Sequence, residues 1–362
     1  KDPKYTVHLM DGVRPQSWYA ERPGVWVNED NWPDGPNMST FSLAKNSKLA
    51  EYHITQDLND IVCSPQDCGL DGGEYCAIWL GPEMPGDQRR DDSYSQCYDS
   101  EALTDRLDII GAPVIRLKIK SNAKSGQVIV RLNHIHPDGA STRITYGCLN
   151  LSHRNGHEKT SDIVPNELMD IEVILDQIAY RVPEGHKIRV SISNCYWPLL
   201  WPMPDNGTLT LVQGKFDLPI SSHGDLDERK FQPAVVGEPW KIKSLREGDN
   251  QRNVKRDLKS GIVTTEIIDD FGKRMDQEHG LITGSTAREW WSIHPDDPLS
   301  AHGRTHWTEE IEREDWSVRT ETYAEMWSDY ETFYIKASLM AFHNGDLVFE
   351  KEFNQEIQRL KH

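Results

Sequence analysis

Pro183-Glu184-Gly185-His186-Lys187-Ile188-Arg189-Val190-Ser191-Ile192-Ser193-Asn194 is the stretch on which the fold turns. A Pro-x-Gly turn leads into side chains that alternate without a break. Ile188, Val190 and Ile192 lie on one side; Lys187, Arg189, Ser191 and Ser193 lie on the other. A period of two is that of a β-strand, and this alternation predicts one face on a core and one in water. Just beyond, Tyr196, Trp197, Pro198, Trp201 and Pro202 form a dense aromatic-proline cluster. It is either a binding surface or the inside of a sandwich.

The same alternation spreads upstream. Ile115, Leu117 and Ile119 alternate with Arg116, Lys118 and Lys120, and Val128, Val130 and Leu132 follow a Lys124-Ser125-Gly126 turn. Asp138-Gly139 turns tightly into Thr142 to Cys148, and Ile171, Val173 and Leu175 form a further alternating run. Several short strands with turn signals between them predict an antiparallel sandwich or jelly roll. Tyr5 to Met10 reads as an opening strand. Residues 36–110 read mostly as loop, with a short strand at Thr40 to Leu43. Such a long structureless segment in a compact domain is often functional or wrapped over a scaffold.

Downstream, Leu209 to Val212 reads as a short strand, and the charged, turn-rich residues 221–260 as a boundary. Trp307 to Ile311, Trp316 to Tyr323 and Phe333 to Ala341 read as long strands. Asn344-Gly345 is a hairpin signal, and Asn354 to Leu360 is expected to form a short helix.

The 362 residues carry a formal charge of −18, with 37% hydrophobic residues and 12 tryptophans. That is ample for a core. An acidic surface repels phosphate backbones and anionic lipid, so neither nucleic acid nor membrane is an expected partner. No apolar run approaches the roughly 18 residues of a membrane helix. Six cysteines in a chain this long do not make a disulfide scaffold; reduced thiols and a cytoplasmic location are expected. The chain begins at Lys1 without a signal sequence, and is expected to be part of a longer polypeptide.

Candidate chemical groups were weighed against structural roles. His134 and His136 project from one strand face as a cupin's metal ligands do. A cupin needs a nearby Glu, and its second half needs His farther from the Pro-x-Gly glycine than His186 stands, so the histidines are expected to be structural. Cys63, Cys68 and Cys76 with His53 lack the paired knuckles of a zinc site. Gly284-Ser285-Thr286 lacks the second glycine and the helix of a nucleophile elbow, and Asp270-Phe271-Gly272 lacks the other parts of a kinase. Trp197 with Trp201, and Trp290 with Trp291, are more often packing than ligand platforms. No catalytic residue, metal or cofactor is expected in this chain.

With these residues in hand, the chain from Trp26 to about Pro219 resembles the C-terminal jelly roll of the CocE/NonD hydrolases, which are related to X-Pro dipeptidyl-peptidase. The matches run in family order: Pro23-Gly24-x-Trp26 with Trp32-Pro33; Asp87-Gln88-Arg89 with Asp91-Asp92; Tyr98-Asp99-Ser100; Gly111-Ala112-Pro113; Pro137-Asp138-Gly139; Tyr146-Gly147 before His153-Arg154; and Pro183-x-Gly185-His186 with Arg189, Ser191, Ser193 and Trp197-Pro198. The resemblance implies a mainly β fold, with a galactose-binding-domain-like jelly-roll sandwich at 17–220 and an antiparallel β extension at 221–362. Residues 1–16 would be the connection from an α/β-hydrolase domain.

That domain would carry the Ser-Asp-His triad and be this chain's partner, with a small ester, amide or peptide as substrate; a homo-oligomer is compatible with this. His8, in the opening strand, is not the triad histidine. The loop before Asp87 would reach the active-site mouth, making Tyr75, Trp79 and Leu80 the expected pocket-lining residues. The alternative expectation is a free-standing carbohydrate-binding jelly roll.

Overall fold

A computed structural model describes residues 4–29, 38–52, 54, 57–78, 81–221 and 231–359. These fall into two compact units, one of residues 4–75 and 84–231, the other of 76–83 and 232–359.

In the first unit, a four-stranded sheet runs in the order Gly24–Glu29, Tyr5–Asp11, Ile178–Val182, Leu107–Gly111. The opening strand pairs antiparallel with Gly24–Glu29 and parallel with Ile178–Val182. The larger sheet runs Ser141–Asn150, Gln127–Ile135, Lys187–Ser193, Gln96–Asp99, Lys48–Ala50, Met38–Ala44, Leu209–Pro219, Val114–Ser121, Met169–Ile174, with Asp60–Val62 beside Leu209–Pro219. Its two end strands meet again. The Asp176 amide donates to the Tyr146 carbonyl at 3.0 Å, and a Cβ on Gly147 would lie 2.5 Å from the Ile174 carbonyl oxygen. Only glycine allows that approach. The sheet is thus rolled onto itself, and its inner faces share one core with the smaller sheet.

Ile115, Leu117, Ile119, Val130, Leu132, Ile188, Val190, Ile192, Phe216 and Leu218 from the large sheet pack in that core with Ile109, Tyr180 and Val182 from the small one. Each fully buried aliphatic side chain contributes about 1.5–3 kcal/mol. Arg116, Lys118 and Lys120 stay exposed between buried neighbours, as alternation predicts. The stretch from Pro183 departs from that rule. Ser191 and Ser193 are as buried as Ile188 and Val190, and both faces of Gln127–Ile135 are buried. Residues 66–72 and 86–95 lie over the outer face and replace water there. Among its described residues the segment 36–110 is correspondingly more ordered than its composition implies, with five strands and the short helix Arg89–Ser93.

The second unit is one antiparallel sheet in the order Ile242–Arg246, Val263–Asp276, Ile282–His294, Asp297–Arg313, Trp316–Ser328, Thr332–His343, Asp346–Gln358, with Asp249–Arg256 also on Val263–Asp276. Asn344 and Gly345 both take positive φ, 49° and 89°, as a two-residue hairpin requires. The short helix expected from Asn354 is instead strand. Phe353 and Ile357 continue the period of two from Leu347 and Phe349, and the segment pairs with Thr332–His343 along its whole length. Tertiary pairing overrides the helix preference of its Glu and Gln residues.

Candidate functional site

The motif Asp87-Gln88-Arg89-Arg90-Asp91-Asp92 ties the outer face of the sandwich to the loop that precedes it. Asp92 faces the sheet. One carboxylate oxygen accepts from Asn133 Nδ2 and Ser191 Oγ, both at 2.8 Å, and lies 3.2 Å from Arg131 Nη2. The other accepts from Ser141 Oγ at 2.8 Å and Arg189 Nη1 at 3.1 Å. Arg131 has no solvent exposure; it also donates to Gln88 Oε1 at 2.9 Å and Ser95 Oγ at 2.8 Å. Arg189 binds Asp99 through two donors, at 2.6 and 2.8 Å, a planar match of guanidinium to carboxylate. Burial of Arg131 and partial burial of Arg189 are tolerable here because each meets a carboxylate. Ser191 of the opening stretch therefore serves this network and not water, and Arg189 serves it while keeping part of its side chain exposed.

Asp91 faces the other way. It accepts from the amides of Gly69 at 3.0 Å and Asp71 at 3.2 Å, and from Arg90 Nη1 at 3.2 Å. Burial pushes its carboxyl up, against the pull of Arg131 and the Gly69 amide. Gln88 Nε2 donates to the carbonyls of Asp71 at 2.6 Å and Gly86 at 2.9 Å. Arg90 Nη2 donates to Asp67 at 2.6 Å, and the Trp197 amide donates to the Cys68 carbonyl at 2.8 Å. Gly69 sits at φ 115°, where a Cβ would be 2.7 Å from Trp197 backbone atoms. The segment 66–72 is clamped from both sides. Asp71 lies within it with its carboxyl raised to about 6, first by burial and then by Asp91.

The clamped segment runs out to Tyr75, which is 86% exposed. Trp79 and Leu80, the other expected pocket residues, lie outside the described residues, as do His53, Trp32 and Pro33. Cys68 is buried, whereas Cys63 and Cys76 are exposed. Trp197 is 1% exposed and edge-on to Trp201, with ring centroids 5.5 Å apart; it is packing. His8 packs against Trp26 with tilted rings, centroids 5.2 Å apart.

One cluster was not assembled by sequence reasoning. Strand pairing places Ile188 opposite His134 and Lys187 opposite Ile135, which brings His186 next to His136. One ligand nitrogen from each of His134, His136 and His186 falls within 4.8 Å of the others. His134 Nε2 is 2.6 Å from His186 Nδ1, and its Nδ1 is 3.0 Å from the Tyr180 hydroxyl. His136 Nε2 is 3.0 Å from Thr142 Oγ1. Burial first, then the neighbouring histidines, pulls His134 down to about 3; burial also lowers His136 and His186. Spacing from Gly185 does not reveal the proximity of His186, because register, not spacing, brings the rings together.

Comparison with known proteins gives the context. Residues 1–250 match the family of the X-Pro dipeptidyl-peptidase C-terminal non-catalytic domain. The cocaine esterase of Rhodococcus sp. (strain MB1 Bresler) is 23% identical over 188 residues, covering 48% of this chain and 32% of the esterase. Among solved structures, an aminopeptidase from a marine sediment Thaumarchaeota archaeon has TM-score 0.48 at 16% identity, covering 54% of this chain and 39% of the aminopeptidase. An α-amino acid ester hydrolase has TM-score 0.47 at 16% identity, covering 55% and 39%. The chain thus spans between about a third and two fifths of the length of these relatives. Among the described residues, no helix is long and apolar enough to cross a membrane. The family match extends over more than half of the chain, and the chain belongs to the X-Pro dipeptidyl-peptidase C-terminal non-catalytic domain family.

Proposed function

We propose that this chain is the β-sandwich portion of a CocE/NonD-type serine hydrolase, whose α/β-hydrolase domain cleaves an ester, an amide or an X-Pro dipeptide acyl bond. Residues 1–16 lead out of that domain and contribute the strand Tyr5–Asp11 to the smaller sheet of the first unit; the sandwich runs on to about 220, and 221–362 are an appended β region. The sandwich braces the active site and covers part of its mouth with the loop that carries Tyr75, Trp79 and Leu80. The observation that carries this reading is the clamp on residues 66–72: Asp91, Gln88 and Arg90 hold the backbone of that segment, and the exposed Tyr75 follows it. A large aromatic side chain on an anchored loop is suited to shape a neighbouring pocket.

The test uses p-nitrophenyl esters. The isolated chain is expected to show no turnover. In the longer hydrolase, Tyr75→Ala is expected to change KM or acyl-chain preference while leaving the melting temperature unchanged. Hydrolysis by the isolated chain that a substitution within it abolishes would overturn the reading.

A carbohydrate-binding reading has one observation in its favour, in the second unit and not in the jelly roll where it was expected. In the second unit a groove of about 620 Å³ is lined by Trp290, Arg304, His306, Tyr323, Glu325 and Lys336, with His306 and Tyr323 stacked at 4.0 Å. Saturable glycan binding by calorimetry, lost in Tyr323→Ala, would favour it.

A further inference from the structure

We propose that His134, His136 and His186 form a binding site for a late first-row divalent metal ion, zinc foremost, on the sandwich of the first unit.

The argument begins with backbone geometry. Residues two apart on a strand share a face, so His134 and His136 stack, with ring centroids 4.1 Å apart. The turn at Pro183-Glu184-Gly185 brings the third ring in, with centroids 4.8 Å from His134 and 5.3 Å from His136. Gly185 takes φ 78°, and its amide donates to the Leu103 carbonyl at 2.9 Å, so the turn is fixed. His134 is fully buried and His136 nearly so, while His186 is partly exposed. The cluster therefore has rigid walls and one side open to solvent.

The surrounding hydrogen bonds set which nitrogens can ligate. Thr142 Oγ1 donates its single proton to the Val13 carbonyl at 2.9 Å. It can then only accept from His136, so His136 Nε2 carries the proton and Nδ1 keeps its lone pair. His134 Nδ1 meets the Tyr180 hydroxyl, which leaves Nε2 to face His186. A ligating imidazole whose other nitrogen is held by an oxygen is the usual arrangement around protein metals. Gly12 completes the fit, since a Cβ there would lie 2.7 Å from His134 Cε1.

Three neutral imidazoles with no carboxylate in the set suit zinc, cobalt, nickel or copper rather than magnesium or calcium. Zinc binds histidine nitrogen at about 2.0–2.1 Å in tetrahedral geometry, which places two ligand nitrogens roughly 3.4 Å apart. The 2.6 Å gap between His134 and His186 must open by somewhat under 1 Å. The turn backbone stays in place, and the partly exposed His186 ring is the one able to rotate by that amount. The fourth position is left to water. Bound there, the ion would join the strand Gln127–Ile135 to the turn at 183–186, beside the backbone of Gly12 and Val13.

The test is metal binding by the full chain, carrying no oligohistidine tag and stripped with EDTA. Calorimetry with Zn²⁺ is expected to give one site per chain, and Co²⁺ should produce the intense visible bands of a four-coordinate nitrogen site. Tyr180→Phe, which keeps all three ligands, is expected to weaken affinity about 10- to 100-fold, and His186→Ala or His136→Ala by at least that factor. Circular dichroism verifies that the variants fold. Should a variant not fold, X-ray absorption of the zinc-loaded wild-type chain decides, because three imidazoles give a recognisable outer-shell pattern. No saturable binding, affinity unchanged in His186→Ala, or a zinc spectrum without imidazole scattering overturns the proposal. So does binding that is lost on His157→Ala instead, since His153 and His157 form a separate exposed pair.

Discussion

Replacing Asp92 by alanine tests whether the outer face of the sandwich depends on buried charge. Asp92 is 5% exposed and Arg131 not at all. The remaining hydrogen bonds of Arg131 go to the neutral oxygens of Gln88 and Ser95. Removing the Asp92 carboxylate takes its bonded counter-charge from a fully buried guanidinium and leaves it the longer-range pull of Asp91, which costs about 3–5 kcal/mol. Asn133, Ser141 and Ser191 each lose an acceptor as well, but the hydroxyls can rotate, so these losses do not simply add. Arg189 suffers less because it keeps both bonds to Asp99. Asp92→Asn, which keeps the volume and removes the charge, should cost about 2–3 kcal/mol.

The assay is urea unfolding followed by circular dichroism and tryptophan fluorescence. With two compact units, the transition of the first must be fitted separately from that of the second. For an m-value of about 3 kcal/mol/M, the loss in Asp92→Ala moves the midpoint down by about 1–1.7 M with m unchanged. Adding Arg131→Met to Asp92→Ala should cost little more, because the stranded charge leaves with it. Asp99→Ala should cost less than Asp92→Ala, since the side chains of Asp99 and Arg189 retain 31% and 22% exposure. A midpoint shift under about 0.3 M for Asp92→Ala, equivalent to roughly 1 kcal/mol, would mean that water reaches Arg131, and the reasoning would fail.

Two further outcomes follow from the loop. Gly69→Ala must place a Cβ 2.7 Å from the Trp197 backbone at φ 115°; it should destabilise the first unit by about 1–3 kcal/mol and speed limited proteolysis within residues 70–78, and unchanged cleavage would contradict the clamp. Asp71 keeps its proton to about pH 6 when folded and to about 3.9 when unfolded, so the folded chain binds more protons between these values and stability falls as pH rises through them. Asp71→Asn should therefore gain about 2 kcal/mol over wild type at pH 7 and nothing at pH 4; thermal melts whose difference stays flat across that range would refute the assignment.

Alternation made the sandwich legible. The inward Ile188, Val190 and Ile192 and the Ile115, Leu117, Ile119 run are where a period of two places them, because side-chain direction in a strand is a local property. The outward face of the Pro183 strand was not legible. Arg189 and Ser191 look the same in sequence whether they meet water or Asp92, and the cover comes from residues about a hundred positions away. Histidine spacing hid a cluster: His186 joins His134 and His136 through strand register, a long-range quantity. The helix expected at Asn354 failed for the related reason that pairing with Thr332–His343 supplies hydrogen bonds that local preference does not foresee.

The two aspartates of the motif explain why a non-catalytic sandwich needs so polar an exterior core. Asp92 reads three strands at once, through Ser141, Asn133 with Arg131, and Ser191 with Arg189. Asp91, one residue earlier, reads the backbone of Gly69 and Asp71. Adjacent side chains on a helix of only five residues point in different directions, so one short element joins two structures that do not otherwise share a strand. An apolar cover would bury as much surface but would fix no backbone amide, and the loop could slide. Directional hydrogen bonds to ionised groups set a position, at the cost of burying charge that must be fully paired. If Tyr75 and its neighbours shape a pocket on another domain, that positional accuracy is what the buried Arg131 and the paired Arg189 are for.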